Sequence, residues 1–521
     1  MKIEQLAEKW DLVVLGGGIT GAGIFREAAR SKLKVLLVEQ QDFAWGTSSR
    51  SSKMVHGGLR YLKEAQIGLT RDSVLERERL LREAPGLVES LEFLMPIYAD
   101  RGPGKWLMTS GLTLYSMLSG KKQHQYFNKS EFVAKVPGIN QQQLKGGFQF
   151  LDAQVDDARL VLRVLDEAKQ QSAEAVALNY VTAKKILRDN NGKVTGVVLM
   201  DTDTGTLREI QTGTIINATG AWAEGLHPSP KQKLHIRPLR GSHLIFPQKV
   251  LPVNQAVSFV HPKDNRPVFA FPWEGVTLFG TTDVDHGTEI NTDPSISKEE
   301  VDYLMEAVHY AFPQMNITSK DCLATLAGVR PVLSEGKANP SEESREHLIW
   351  VDKGLVTVTG GKLTTFRKLA VDTLKEALEF LPVKQMDEGD IFDQKNNPEP
   401  KPSTLTDKQW KKLKGRYGLK VKELIAMSSL EELTQIPGTE TLWAELRYTA
   451  KNEQIRHLSD LLLRRVRLGL LLPEGGKNIL DRVRELCGSV LEWDEERWQK
   501  EINAYQELWQ QSYSMPQGVT L

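Results

Sequence analysis

Cysteine is scarce in this chain, which has two, Cys322 and Cys487, among 521 residues. Two cysteines so far apart give no disulfide framework, and neither belongs to a spacing typical of metal ligands. So few cysteines suit the reducing cytoplasm. The sequence therefore predicts a cytoplasmic protein with no structural disulfide and no metal site.

An excess charge of one sign and a long apolar run are also lacking. Lys+Arg and Asp+Glu both number 67, so the formal net charge is zero, and a nucleic-acid partner is not indicated. No stretch reaches the ~18 apolar residues expected of a membrane-spanning helix, and the first residues lack the apolar segment of a secretory signal. The length instead predicts two or three globular domains.

The first forty residues do carry a recognisable pattern. An apolar run at 11–15 leads into Gly16-Gly17-Gly18-Ile19-Thr20-Gly21, which fits G-x-G-x-x-G, and a second apolar run ends in Glu39. In such a unit Gly16 allows the tight turn, Gly18 lets a pyrophosphate approach, and Gly21 lets the helix pack on the strand. Glu39 is placed to accept hydrogen bonds from the adenosine ribose, which argues against NADP. The pattern predicts a bound dinucleotide, NAD or FAD.

A hydroxyl-rich loop comes next, at 47–53, and leads into His56-Gly57-Gly58-Leu59-Arg60-Tyr61. Composition alone favours an exposed loop. The string at 48–62, however, closely resembles the flavin loop of FAD-dependent glycerol-3-phosphate dehydrogenases of the aerobic, quinone-linked type. Further matches to that family follow in the same order along the chain, at 155–162, 217–222, 240–243, 280–283, 328–331 and 360–367. The resemblance covers residues 8 to 375 and is weak beyond them.

This resemblance implies an α/β fold (α+β overall) of the D-amino-acid-oxidase-like type. We expect a Rossmann-like FAD-binding domain, interleaved with an antiparallel-sheet substrate domain, and a C-terminal α-helical domain. The oxidoreductase region would cover 1–384, with FAD-binding parts at about 8–75, 150–235 and 325–384 and substrate parts at about 76–149 and 236–324. A polar, proline-rich linker at 385–402 would precede the helical domain at 403–521.

The function implied by the resemblance is oxidation of sn-glycerol 3-phosphate to dihydroxyacetone phosphate, with hydride transfer to FAD and electrons passed to a membrane quinone. Two alternatives stay open. One is an oxidase that reduces oxygen to hydrogen peroxide, and the other is a non-catalytic flavin-holding interaction protein. The oligomeric state also stays open and includes a homodimer.

Alcohol oxidation needs a base for the proton and a hydride acceptor, and a phosphorylated substrate needs fixed cations. The resemblance implies His243, Arg330 and Lys362 as catalytic residues, and Arg60 and Tyr61 as substrate contacts beside the same two cations. His243 is the preferred base, because imidazole titrates near neutral pH, and a purely structural role is the alternative. The expected FAD contacts are Gly16, Gly18, Gly21, Glu39, Thr47, Ser48, Ser49, Ser52, Lys53, His56, Gly57, Gly58, Val181, Ala218, Thr219, Gly220, Trp222, Gly361, Lys362, Leu363 and Thr364.

Two segments bear on membrane contact. The stretch 106–118 is apolar with aromatic edges and is followed by Lys121 and Lys122, which predicts either an interfacial helix or a buried one. Arg464, Arg465 and Arg467 follow a helical stripe of leucines and indicate either an anion-binding patch or, as we favour, a solvated helix face. We expect peripheral association with the inner face of the cell membrane.

Overall fold

The computed structural model describes residues 2–63, 66–120, 124–226, 236–287, 289–334, 347–392 and 400–518. Their strands are β1 (Leu12–Leu15), β2 (Val35–Glu39), β3 (Met54–Val55), β4 (Val88–Tyr98), β5 (His124–Asn128), β6 (Leu144–Val155), β7 (Ala175–Asn179), β8 (Val181–Arg188), β9 (Val194–Asp201), β10 (Leu207–Gln211), β11 (Ile215–Asn217), β12 (Ile236–Pro247), β13 (Ala256–Val260), β14 (Pro267–Trp273), β15 (Val276–Gly280), β16 (Val284–Asp285), β17 (Ala324–Leu333), β18 (His347–Asp352) and β19 (Leu355–Gly360).

The helices of the same ranges are α1 (Ile19–Arg30), α2 (Leu59–Lys63), α3 (Ile67–Glu83), α4 (Lys105–Ser119), α5 (Lys129–Lys135), α6 (Asp157–Gln171), α7 (Lys298–Ala311), α8 (Phe366–Ala377), α9 (Asp407–Tyr417), α10 (Val421–Met427), α11 (Trp443–Asn452), α12 (Leu458–Asp460), α13 (Leu468–Leu471), α14 (Leu480–Leu491) and α15 (Glu495–Ser512). A π-helical turn, Leu461–Arg465, joins α12 to the segment before α13. Among the described residues, no helix has both the length and the apolar character needed to cross a bilayer.

The first sheet has six strands in the order β18-β19-β11-β1-β2-β7. All its pairs are parallel except that of β18 with β19. Every residue of β1 is buried, as expected of a parallel sheet covered on both faces. Helices α1, α6 and α8 pack together in one core, and the three-stranded sheet β10-β9-β8 shares another with β1 and β2. The glycine turn thus lies at the carboxyl edge of this sheet, where open α/β sheets bind ligands.

The second large sheet has ten strands and is mostly antiparallel. Its order is β16-β12-β15-β14-β13-β4-β6-β3, with β17 paired to β12 and β5 to β6. Strands β14 and β15 are adjacent and antiparallel. They contain apolar runs at 268–271 and 276–279, and their pairing agrees with the antiparallel sheet expected for the substrate domain. The parallel pair of β13 with β4 is the exception to the antiparallel pattern.

The chain beyond residue 402 is helical, as the sequence predicts. Helices α9, α10 and α11 contribute to a core of their own. Leu461, Leu462 and Leu468 pack in a different core, together with Phe93 and Phe150 of the ten-stranded sheet. The C-terminal helices are therefore joined to the substrate-side sheet by shared apolar burial. Residues 393–399 of the expected linker lie outside the described residues.

Candidate active site

A cleft of about 1810 Å³ lies between the carboxyl edge of the six-stranded sheet and the ten-stranded sheet. The ends of β1, β2 and β19 and the residues just after β11 line one side of it, and β4, β13 and β14 line the other. Its size and position make it the candidate site for a large cofactor and a substrate together.

Most of the predicted cofactor residues line this cleft: Gly16, Gly18, Glu39, Thr47, Ser48, Ser52, His56, Gly58, Val181, Ala218, Thr219, Gly220, Trp222, Gly361, Lys362, Leu363 and Thr364. Tyr61 and Arg330 line it too. Gly21, Ser49, Lys53, Gly57 and His243 do not belong to its lining. Arg60 lies in α2, and its side chain lies outside the described residues.

The glycine turn has no room for side chains. A Cβ on Gly21 would stand 1.9 Å from the Gly16 carbonyl oxygen, and one on Gly18 would stand 3.1 Å from Ser48 Oγ. Gly16 has φ of 111°, a region that favours glycine. Gly18 is the N-cap of α1, so the turn presents backbone close to the helix N-terminus. This narrow cradle suits a pyrophosphate.

Glu39 ends β2 and faces the cleft beside that cradle. Its carboxylate accepts the Gly17 N–H at 2.6 Å and the Gln41 N–H at 2.9 Å. Burial raises the pKa of Glu39. A carboxylate can accept about four hydrogen bonds, so acceptor capacity remains for ribose hydroxyls. The surroundings of Glu39 therefore fit an adenosine ribose.

The hydroxyl-rich loop is bound to several other segments. Ser48 Oγ accepts the Ile19 N–H at 2.9 Å. The His56 N–H donates to Thr364 Oγ1 at 3.1 Å, and the Gly57 N–H donates to Asp152 Oδ1 at 3.0 Å. The loop is thus held between the glycine turn, the segment after β19 and the end of β6. Gly57 shapes the loop through its backbone although it does not line the cleft.

Two cations line the cleft on the side of β17 and β19. Arg330 Nη1 donates to Asp283 Oδ1 at 3.1 Å, and its Nη2 donates to Thr281 Oγ1 at 3.2 Å. Lys362 Nζ lies 3.4 Å from the centre of the Tyr61 ring. Asp283, at the end of the motif 280–283, therefore orients the Arg330 guanidinium.

Two further cleft residues, Arg101 and Arg266, were not predicted from the sequence. Arg266 Nη2 lies 3.5 Å from Asp283 Oδ2, so Asp283 faces two arginines. Neither Arg101 nor Arg266 lies in one of the family-like motifs. A single arginine outside a motif gives no signal that would separate it from a surface charge.

His243 lies behind the cleft wall. Its side chain is buried, and Nε2 stands 3.0 Å from Ser52 Oγ, which does reach the cleft. Burial, and then the charges of Arg330 and Lys53, lower the pKa of His243 to about 3. The imidazole is therefore neutral at neutral pH, and its path to the cleft runs through Ser52.

The two readings of the arginine segment were both wrong. Arg464, Arg465 and Arg467 are neither solvated nor an open anion patch, because all three side chains are buried. Arg464 and Arg465 pair with Asp42, and Arg467 pairs with Asp157. Arg464 also pairs with Asp460, four residues before it. Asp42 and Asp157, however, lie more than 300 residues earlier in the chain, so local sequence could not reveal those pairings.

The segment predicted to be either interfacial or buried is amphipathic helix α4. Trp106 and Met117 are 83% and 72% exposed, whereas Leu112 and Tyr115 are 0% and 1% exposed. One face of α4 therefore packs in the core, and the opposite face is exposed. Several α4 residues also line the cleft, Leu107 and Leu114 among them. Lys121 and Lys122 lie outside the described residues.

Known proteins are similar to this chain in sequence and in fold. Residues 11–367 match the family described as FAD dependent oxidoreductase, and residues 358–498 match the C-terminal domain of alpha-glycerophosphate oxidase. The chain belongs to the FAD-dependent oxidoreductases. An aerobic glycerol-3-phosphate dehydrogenase of Staphylococcus haemolyticus is 36% identical over 485 residues, 88% of this chain and 86% of the relative. One from Staphylococcus aureus strain USA300 is 36% identical over 487 residues, with the same coverage.

Solved structures of this oxidoreductase family agree with the fold. The glycerol-3-phosphate dehydrogenase of Bacillus halodurans, complexed with FAD, superposes with a TM-score of 0.73 and 26% identity over 98% of this chain and 96% of that chain. An L-alpha-glycerophosphate oxidase from Mycoplasma pneumoniae shares the fold, with a TM-score of 0.55 and 20% identity over 74% of this chain and 99% of that one. The predicted family, fold class and FAD cofactor are confirmed, and the protein is an enzyme of the aerobic glycerol-3-phosphate dehydrogenase family.

Proposed function

We propose that this enzyme oxidises sn-glycerol 3-phosphate to dihydroxyacetone phosphate and passes the electrons to a membrane quinone. The observation that supports this substrate is a pair of cations, Arg330 and Lys362. Both lie on the wall of the cleft that also contains the glycine turn. A partly desolvated phosphate needs such fixed cations, and the Arg330 guanidinium is oriented by Asp283. The names of the relatives agree with a glycerol phosphate substrate.

The reaction removes a hydride from the alcohol carbon and a proton from its hydroxyl. FAD, when bound, supplies the hydride acceptor. Ser52 Oγ faces the cleft and can pass the hydroxyl proton to His243 Nε2, which stands 3.0 Å away. Arg330 is one of the charges that lower the pKa of His243. A phosphate anion bound at Arg330 offsets that charge, so substrate binding makes His243 a better base.

The proposed quinone acceptor is supported by the apolar part of the cleft. Met95, Phe259 and Phe269 line it together with Leu107 and Leu114 of α4. Helix α4 thus contributes residues to the cleft and also has an exposed apolar face, which includes Trp106 and Met117. An apolar electron acceptor dissolved in lipid suits this arrangement, and peripheral contact of α4 with the inner membrane face would bring the cleft to it.

Stopped-flow spectroscopy of the flavin tests the substrate and the acceptor separately. Anaerobic glycerol 3-phosphate should bleach the flavin absorbance, and a soluble quinone analogue should restore it faster than air does. Without bleaching, the proposed substrate is wrong. Fast reoxidation by air with one hydrogen peroxide per flavin would make the protein an oxidase. Arg237→Ala is a suitable control, since Arg237 is a half-buried partner of Asp285 and does not line the cleft.

A further inference from the structure

The hydroxyl-rich loop at 47–53 is held by a residue from the C-terminal region of the chain. Arg467 Nη2 donates to the Ser49 carbonyl oxygen at 2.8 Å and to Asp157 Oδ1 at 3.0 Å. Its Nη1 donates to the Leu463 carbonyl at 2.8 Å, which fixes the guanidinium on the C-terminal side. One buried side chain therefore connects the C-terminal helices to the backbone of this loop.

Asp157, at the start of α6, binds the same loop. Its carboxylate accepts the Ser51 N–H at 3.0 Å and the Ser51 hydroxyl at 2.7 Å. It also accepts from Lys53 Nζ at 2.8 Å. Burial alone would raise the pKa of Asp157, but Lys53 and Arg467 outweigh it and lower the pKa. The carboxylate is thus charged and shared between two loop residues and Arg467.

Two of the residues that make these contacts have left-handed backbone conformations, one in the loop and one in the C-terminal segment. Lys53 has φ of 57° and Arg467 has φ of 60°, a left-handed conformation that non-glycine residues rarely adopt. Residues in sparsely populated backbone conformations persist when their surroundings determine them strongly. Here both residues make charged hydrogen bonds to Asp157, and both donate to the Ser49 carbonyl. Lys53 of the loop and Arg467 of the C-terminal segment therefore bind the same two groups, the Ser49 carbonyl and the Asp157 carboxylate.

The beginning of the loop region is held in the same way. Arg465 Nη2 donates to Asp42 Oδ1 at 2.8 Å, and Arg464 also pairs with Asp42. Asp42 is fully buried and follows β2, three residues after Glu39. Asp42 also accepts the Trp45 N–H through its carbonyl oxygen. Arginines of one short C-terminal segment therefore bind the chain on both sides of the residues that line the cleft at 45–48.

We propose that Arg467 is a positioning residue of the FAD site. It fixes the backbone of 49–52 against Asp157, so that Ser51 and Ser52 face the cleft at a set depth, and the C-terminal helices thereby control flavin affinity and reduction potential. Groups that hold a site in its productive geometry act through this kind of supporting contact. The inference rests on FAD binding, a family property, and is independent of the proposed substrate and electron acceptor.

The test uses the full-length holoenzyme with Arg467→Lys. Lysine keeps the buried charge but loses the planar fork that reaches Leu463, Ser49 and Asp157 together. We expect FAD to dissociate with a Kd raised about tenfold or more, measured by flavin fluorescence on dilution, and the flavin midpoint potential to move. Arg484→Lys is the matched control, because Arg484 pairs with Glu495 on the surface of the same C-terminal region.

A double-mutant cycle with Ser51→Ala separates positioning from general destabilisation. Ser51 and Arg467 both act through Asp157, so their effects on the FAD Kd should combine to less than the product of the single effects. Ser51→Ala alone leaves the buried charges in place and keeps the test usable if Arg467→Lys folds poorly: it should then weaken FAD binding and shift the midpoint potential. An unchanged Kd and potential in either single variant, or multiplicative effects in the double variant, would overturn the proposal.

Discussion

His243 and Ser52 are in contact, with Nε2 of the imidazole 3.0 Å from the serine Oγ, and it is Ser52 that reaches the cleft. The histidine that a sequence motif suggests as a base is thus separated from the cleft by the Ser52 hydroxyl. The His243 imidazole is neutral at neutral pH, because burial and two nearby cations lower its pKa to about 3.

This placement predicts an unusual pH dependence. A base is active when deprotonated, so the part of kcat/KM that depends on His243 in the substrate-free enzyme falls only as the pH approaches 3 and not near the ordinary 6.5. His243→Asn should lower kcat by about 10²- to 10⁴-fold, and Ser52→Ala should lower it as well. The shape of the kcat/KM profile between pH 5 and 8 should be the same in the parent and in His243→Asn. An ascending limb near 6.5 that is present in the parent and lost in the variant would contradict the placement.

The narrow glycine turn predicts that a larger side chain at Gly18 prevents FAD binding. Gly18→Val puts a branched side chain where a Cβ already stands 3.1 Å from Ser48 Oγ, in the cradle for the pyrophosphate. We expect mostly apoprotein, measured as the ratio of flavin to protein absorbance. Gly488→Val is the control, because a Cβ on Gly488 meets nothing within 4 Å. A full complement of FAD in Gly18→Val would exclude this turn as the phosphate site.

Arg330→Ala should impair turnover of glycerol 3-phosphate while FAD stays bound. Loss of one partner of a desolvated charge costs roughly 2–5 kcal/mol, which is about thirty- to several-thousand-fold in kcat/KM. Unphosphorylated glycerol should be less sensitive to the change. Equal losses for both substrates would indicate that Arg330 acts on the structure or the flavin and not on the phosphate.

Membrane association should depend on the exposed face of α4. Leu112 is in the core, so charging it would test folding and not lipid contact. Trp106→Glu combined with Met117→Glu places two carboxylates on the exposed face and avoids the cleft lining. We expect the variant to lose flotation with anionic vesicles and to reduce a lipid-borne quinone more slowly. Its activity with a soluble dye as electron acceptor should be retained.

The control for that experiment is Leu207→Glu combined with Leu430→Glu, which changes exposed leucines on other elements, 61% and 74% exposed. Vesicle binding should survive in it. If the parent protein fails to bind anionic vesicles at low salt, membrane contact is excluded, and a soluble oxidase becomes the better description of the acceptor side.

Local patterns were predictable because they depend on neighbours within about thirty residues. The turn at 16–21 and the acidic end of β2 follow from glycine spacing and from apolar runs that end in a polar residue. The resemblance of the loop at 48–62 added the flavin. These features required no knowledge of which distant segments meet.

The sequence alone therefore determined the dinucleotide turn, the family and the helical character of the C-terminal region. Only the tertiary structure decided that Arg464, Arg465 and Arg467 are buried, that Leu112 faces the core, and that Ser52 separates His243 from the cleft. A charged side chain is stable in the interior only beside its partner, and the partners Asp42 and Asp157 lie hundreds of residues from those arginines. Whether an arginine is solvated or structural is thus a property of the folded contacts, and no local pattern encodes it.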